Sequence, residues 1–369
     1  MKILCVGDAM IAGSGFGASA SALDAKVVSS DWESDPQRLQ HRRLLVERDG
    51  PGVEEVPGVF AEHADAEVVL GLFCPVSAAG MDAFENLRVV GVARAGLENV
   101  DVAAATERGI AVLHVRGRNA EAVSDFAAGL ILAAARNIAR AHAGILAGGW
   151  PKSFANSAHL PELGGRTLGI VGYGLIGRLL ARKMSGFSMQ RIAYDPFAAA
   201  GAGDQVELVG LEELLERSDF VSLHARLDAA NRHLIGAAEL ARMRPTSYLV
   251  NTARAGLLDT EALVAALRER RIAGAALDVF DSEPLEPGNP LLELDNVTLT
   301  SHIAGTTTDA LTRSPQLLVA TLTALLRGET AEIALANPEV LDDPRCEGWL
   351  QTSAPLLLGP EANRPENGT

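Results

Sequence analysis

The stretch from Thr167 to Asp195 limits what this chain can fold into more than any other. Thr167–Val171 is an apolar run of strand character, and Gly172-Tyr173-Gly174-Leu175-Ile176-Gly177 follows it directly. Leu175–Met184 has helical periodicity. A second short run, Arg191–Tyr194, ends at Asp195, which lies 18 residues after Gly177. Each part has a physical job in a strand–turn–helix–strand unit that holds a dinucleotide. Gly172 permits the tight turn, Gly174 lets backbone approach a pyrophosphate, and Gly177 lets helix and strand pack closely. The helix N-terminus, opened by Leu175 and Ile176, turns free N–H groups toward phosphate. Asp195 can accept hydrogen bonds from both ribose hydroxyls and would repel a 2′-phosphate, so the expected cofactor is NAD rather than NADP. A glycine-rich loop alone needs no ligand, but strand, helix and acid falling together at these spacings favour one.

The rest of the chain is read around this unit. At 369 residues it exceeds one compact core, and two domains are expected. Lys2–Gly7, Val68–Phe73, Leu87–Val92 and Ile110–His114 read as strands, with helices over Pro36–Arg48 and Val102–Glu107. Strands alternating with helices imply a parallel sheet, so the fold class is α/β. Gly13-Ser14-Gly15-Phe16-Gly17 resembles a nucleotide loop, but its third glycine is misplaced and no acid ends a clean second strand. It reads as a flexible loop. A long helix is expected from Asn119, as N-cap, to about Ala147, and a last helix over Thr308–Leu326. The tail from Gly359 is rich in Pro, Gly, Asn and Glu and reads as loose.

Three later segments carry polar groups just beyond β-runs, where open parallel sheets bind ligands. They are Leu249-Val250-Asn251-Thr252-Ala253-Arg254, Ala276-Leu277-Asp278 running on to Glu283-Pro284, and Leu299-Thr300-Ser301-His302. An arginine, a glutamate and a histidine suit carbonyl reduction. Arginine clamps a carboxylate with two parallel bonds. Histidine supplies a proton near neutral pH. Glutamate orients the histidine and favours its protonated form. Taken singly, each is as well explained by a surface charge or a turn, and spacing alone does not bring them together.

From about Val89 to Leu325 the chain resembles the D-isomer-specific 2-hydroxyacid dehydrogenase family, which includes phosphoglycerate dehydrogenases. Ala93-Arg94-Ala95-Gly96-Leu97-Glu98-Asn99-Val100-Asp101, the dinucleotide unit and the three segments above carry the resemblance. It implies two Rossmann-like domains. An NAD-binding domain over 119–304 is inserted into a discontinuous, flavodoxin-like substrate domain over 1–118 and 305–335, and 336–369 forms a C-terminal tail. It implies hydride transfer between NAD(H) and a small D-2-hydroxy or 2-oxo acid. The family motif puts the substrate-binding arginine at Arg254, the supporting glutamate at Glu283 and the acid–base histidine at His302. It places an aspartate near the nicotinamide at Asp278 and further cofactor contacts near His224 and Thr252. Carboxylate-binding N–H groups are implied around Arg94, Ala95 and Gly96, and substrate contact at the Val76 loop. That loop, Cys74-Pro75-Val76-Ser77, carries no basic residue, which argues against a phosphorylated substrate. Arg226 stands where the family often has proline. The Asn119 helix and the Trp150–Leu163 arm resemble the family's dimer contact, so a homodimer is expected.

Charge and cysteine usage exclude other partners. The formal net charge of −15 disfavours nucleic acid and anionic membrane surfaces. Cys5, Cys74 and Cys346 show neither redox nor metal spacing, so no metal is expected and a reducing compartment fits. No apolar stretch is long enough to span a bilayer, and the N-terminus lacks a signal-peptide pattern, so the expected location is cytoplasmic. An NAD-sensing or corepressor-like binding protein of the same fold is the alternative function. Formate dehydrogenases share the fold too, but usually carry Gln where this chain has Glu283.

Overall fold

The computed structural model describes residues 1–198, 206–331 and 333–352. The chain forms two compact units, one from Met1–Arg118 with the chain from Thr307, the other from Asn119–Thr306. In the first, β1 (Lys2–Asp8), β2 (Lys26–Glu33), β3 (Val68–Gly71), β4 (Val89–Val92) and β5 (Ala111–His114) form a parallel sheet in the order β2-β1-β3-β4-β5. This is the flavodoxin-like order. Four of these strands are buried along their whole length, because helices and loops cover both faces of the sheet. Phe16, Leu318 and Leu322 pack on one face, and Phe60, Met81 and Phe84 on the other. The helix Thr308–Leu326 brings the late chain back into this core.

Two expectations are corrected in this unit. Gly13–Gly17 is not a flexible loop but the start of the helix Gly13–Ala20. A Cβ on Gly13 would lie 2.5 Å from the Ser30 carbonyl oxygen, and one on Gly17 2.4 Å from Ser29 Oγ. These glycines let the helix lie flat against β1 and β2. The segment expected as a tail from 336 is also part of the core as far as 352. Val340, Cys346 and Trp349 are buried there, and the Trp349 indole donates to Glu67 Oε2 at 2.8 Å. The loose tail expected from Gly359 lies outside the described residues.

The second unit holds β6 (Thr167–Val171), β7 (Gln190–Tyr194), β8 (Glu207–Leu208), β9 (Phe220–Leu223), β10 (Tyr248–Asn251), β11 (Gly274–Leu277) and β12 (Val297–Leu299). All pair in parallel, in the order β12-β11-β10-β9-β6-β7-β8. Chain order reverses between β6 and β9, which makes that position the topological switch point of a Rossmann sheet. The single helix expected from Asn119 to Ala147 is two, Ala120–Ala135 and Ile138–Leu146, bent by 66°. Asn137 breaks it in the left-handed region at φ 56°, held by Asn156 Oδ1 at 2.7 Å and Arg140 Nε at 2.9 Å. Asn119 makes no side-chain cap bond, and its amide instead lies against Gly305, where a Cβ would come within 2.3 Å of Nδ2. Among the described residues no single helix is long and apolar enough to cross a membrane.

Candidate active site

The candidate groups of the second unit sit beyond the carboxyl ends of adjacent parallel strands. Gly172 follows β6, Asp195 follows β7, His224 follows β9, Thr252 and Arg254 follow β10, Asp278 follows β11, and His302 lies just past β12. The sheet therefore gathers on one edge residues that the sequence scatters over 131 positions.

The dinucleotide turn has the geometry its glycines imply. Gly172 has φ 94°, and a Cβ there would come within 2.4 Å of the Ala225 nitrogen. A Cβ on Gly177 would lie 2.3 Å from the Gly172 carbonyl oxygen. Gly174 faces open space, as backbone meant for close approach must. Leu175 and Ile176 open the helix Leu175–Ser185, whose start has no side-chain cap. The Tyr173 N–H donates to Asp195 Oδ2 at 2.8 Å, and its buried ring lies 4.5 Å from the Arg178 guanidinium carbon. Asp195 Oδ1 accepts from the Phe197 N–H at 2.9 Å, which fixes the carboxylate beside the turn.

The polar atoms left over fit a dinucleotide. Thr252 Oγ1 and His224 Nδ1 are buried without a hydrogen-bond partner among the described residues. An orphaned buried donor or acceptor costs about 1–3 kcal/mol, so both positions suit groups that a ligand completes. Ser222 Oγ lies 2.8 Å from His224 Nε2, and burial pulls the His224 ring down to about 4. The imidazole is thus neutral at pH 7. Arg226 is exposed, and its carbonyl accepts from Asn231 Nδ2 at 2.6 Å.

His302 and Glu283 meet. His302 Nδ1 lies 2.7 Å from Glu283 Oε2, and Glu283 Oε1 accepts from the Phe280 N–H at 3.0 Å. With Nδ1 engaged, Nε2 is the ring atom free to exchange a proton, and the side chain is 38% exposed. Asp278, expected to face the cofactor, is fully buried. Its oxygens accept from Thr300 Oγ1 at 2.6 Å, Ile303 N at 3.1 Å and Ala304 N at 2.9 Å. It is spent on the loop that carries His302, itself at φ 55°. Arg254 is exposed and forms no ion pair among the described residues, and its Nη1 donates to the Ala253 carbonyl at 2.8 Å. Asn251, to which the sequence reading gave no role, shapes this turn. Its Oδ1 accepts from Ala253 N and its Nδ2 donates to the Arg254 carbonyl, each at 3.0 Å. Thr300 and Ser222 were missed likewise. The available signal was a polar residue closing or interrupting a buried β-run.

In the first unit, Val76 is tied into the core. Its side chain is buried, its N–H donates to the Asn99 carbonyl, and its own carbonyl accepts from Asp101 N. Arg94 is buried and paired with Glu47 Oε1 at 2.8 Å and Glu98 Oε2 at 3.2 Å. Ala95 is exposed and Gly96 half-buried, and neither N–H donates to anything among the described residues.

Residues 128–304 match the model of the D-isomer specific 2-hydroxyacid dehydrogenase, NAD binding domain. The chain is 44% identical over 318 residues to a glyoxylate reductase of Thermofilum pendens, covering 85% of this chain and 88% of that one. It is 42% identical over 237 residues to a hydroxypyruvate reductase of Thermotoga maritima, covering 64% and 76%. The crystal structure of a glyoxylate reductase from Paecilomyes thermophila superimposes with a TM-score of 0.70 at 28% identity, covering 92% of this chain and 98% of that one.

Proposed function

Since this chain belongs to the D-isomer-specific 2-hydroxyacid dehydrogenase family and is an NAD-dependent oxidoreductase, we propose that it reduces a small 2-oxo acid to the D-2-hydroxy acid with His302 as the acid–base group. The contact between His302 Nδ1 and Glu283 Oε2 carries this reading, because it leaves a histidine oriented and ready to give up a proton from Nε2. We assign Asn119–Thr306 as the cofactor domain and the first unit as the substrate domain. Glyoxylate and hydroxypyruvate are the first substrates to test, since relatives bear those names.

Gly172, Gly174 and Gly177 would cradle the pyrophosphate, Asp195 the ribose, and Thr252 and His224 the nearby polar groups. NADH held there would supply a hydride to C2 of the acid. Arg254 clamps the carboxylate and polarises the carbonyl. Protonated His302 donates from Nε2 to the oxygen as negative charge grows there, and Glu283 stabilises the imidazolium throughout. In the oxidative direction neutral His302 takes the hydroxyl proton back. The N–H groups of Ala95 and Gly96, which donate to nothing among the described residues, suit a carboxylate oxygen. Three unpaired, buried cysteines suit a reducing cytoplasm. We further infer a homodimer, supported by the exposed apolar helix Ile138–Leu146 and by Trp150. The test is NADH oxidation followed by absorbance with a panel of 2-oxo acids. If no acid in the panel is turned over, the reaction is misassigned and a binding role takes its place.

A further inference from the structure

Arg226 stands where the family often carries proline, and the fold sets it beside the dinucleotide turn. β9 neighbours β6 at the switch point of the sheet, with Leu223 opposite Val171, and the His224 N–H donates to the Val171 carbonyl at 2.7 Å. The next residue, Ala225, lies against the turn itself. A Cβ on Gly172 would fall 2.4 Å from the Ala225 nitrogen and 2.6 Å from its Cα. Successive Cα atoms are about 3.8 Å apart, so Arg226 begins one step from backbone built to meet a pyrophosphate.

The loop that follows fixes the Arg226 backbone without using its side chain. Ala225 and Leu227 pack on the core of this unit, and Arg226 between them is exposed. Its carbonyl accepts from Asn231 Nδ2 at 2.6 Å. Asn231 Oδ1 accepts from Asp228 N at 2.8 Å, and Asp228 Oδ1 accepts from the N–H groups of Ala230 and Asn231 at 2.8 and 3.1 Å. At position 226 only backbone takes part, so the guanidinium is not needed to close the loop. It makes neither a hydrogen bond nor an ion pair among the described residues.

The turn brings no cation of its own. Gly172–Gly177 contains no basic residue, and the Arg178 guanidinium stacks over the Tyr173 ring. The Asp195 carboxylate is held beside the turn by the Tyr173 N–H, which adds negative charge where a pyrophosphate would dock. The N–H groups at the start of the helix Leu175–Ser185 offer partial charge only. In a chain of net charge −15, an arginine next to this turn supplies the missing full charge, and its fork matches phosphate oxygens. We propose that Arg226 is a further cofactor-binding residue, whose guanidinium pairs with the pyrophosphate of NAD(H). This rests on the dinucleotide site proposed above.

The test is binding rather than turnover. Fluorescence titration gives the Kd for NADH in the wild type, Arg226→Met and Arg226→Lys, at low and high salt, with thermal melts to confirm that each variant is folded. ADP and adenosine are then bound in competition with NADH. Arg226→Met should raise the Kd for NADH and for ADP by about 10-fold and leave that for adenosine unchanged, and Arg226→Lys should lose less. Added salt should weaken NADH binding more in the wild type than in Arg226→Met. Equal NADH affinity in the wild type and a folded Arg226→Met overturns this inference alone. An equal loss for adenosine assigns the contact to the base and also overturns it. Tighter binding of NADPH than of NADH by the wild type, lost in Arg226→Met, assigns the guanidinium to a 2′-phosphate and overturns it likewise. A folded wild type that binds no NADH overturns the dinucleotide site and this inference with it.

Discussion

His302 is held from two sides. Glu283 fixes its Nδ1, and Asp278 anchors the backbone around it through Ile303 and Ala304. His302→Ala should therefore cut kcat by roughly 10²–10⁴-fold while NADH still binds, and near-normal kcat would mean another group moves the proton. Glu283→Gln keeps a hydrogen-bonding side chain against Nδ1, so it should lower kcat less than His302→Ala does. A loss as large as that of His302→Ala would show that the carboxylate does more than orient the ring. A different histidine couples stability to pH. Burial lowers His224 to about 4, whereas an unfolded histidine titrates near 6.5. Between those values the unfolded chain holds more protons, so stability should drop as pH falls from about 6.5 to about 4. His224→Gln should flatten that slope in thermal melts, and an unchanged slope would place the titration elsewhere. The placement of Arg254, Glu283 and His302 beyond β-runs was legible because each follows an apolar run inside a distinctive segment. The burial of Val76 was not, because it depends on pairing with Val100, a partner that local sequence does not specify.

At the scale of elements, the three glycines of the dinucleotide turn do different work. Gly172 and Gly177 serve the fold, since a Cβ at either would strike backbone at 2.4 Å or 2.3 Å. Gly174 serves the ligand, because nothing lies within 4 Å of its would-be Cβ. Gly172→Ala adds left-handed strain to the collision and should lower Tm by several degrees. Gly174→Ala should leave Tm nearly unchanged and raise KM for NADH. Equal Tm losses in the two variants would refute this division of labour. The β6–helix–β7 unit was readable because strand, turn and helix are contiguous and each carries its own local signal. The break at Asn137 was not. It depends on Asn156 and on Arg140, whose Nη2 caps the Ala134 carbonyl at 2.8 Å, and such tertiary locks leave little trace in periodicity. The helix at Gly13 was missed for a related reason. Its glycines are poor helix formers in isolation and are tolerated because β1 and β2 press against them.

At the scale of the molecule, sheet order was the part least open to local reading. β6 pairs with β9 across two intervening strands, and β1 with β3 across one, so adjacency is set by crossovers rather than by neighbouring residues. Resemblance to a family supplied the two Rossmann-like domains, which periodicity could not, but no strand order. Assembly is the remaining question, and the helix Ile138–Leu146 bears on it. It has no buried residue, although Ile138, Ile145 and Leu146 fall on related turns. Leu146 is 75% exposed and Trp150, four residues on, is 76% exposed. Apolar area gains about 25 cal/mol per Å² when removed from water, so exposed apolar side chains this close in sequence favour a covering partner. A second copy of the chain is the simplest one, because a two-fold axis lets the same helix cover its twin. Light scattering behind size exclusion should then give the mass of two chains for the wild type. Leu146→Glu with Trp150→Glu would bury four carboxylates at that interface and should give the mass of one. The double variant should still bind NADH, because both substitutions lie outside the dinucleotide turn and away from buried positions. A wild type with the mass of one chain, or a double variant that stays at two, would remove this helix from the interface.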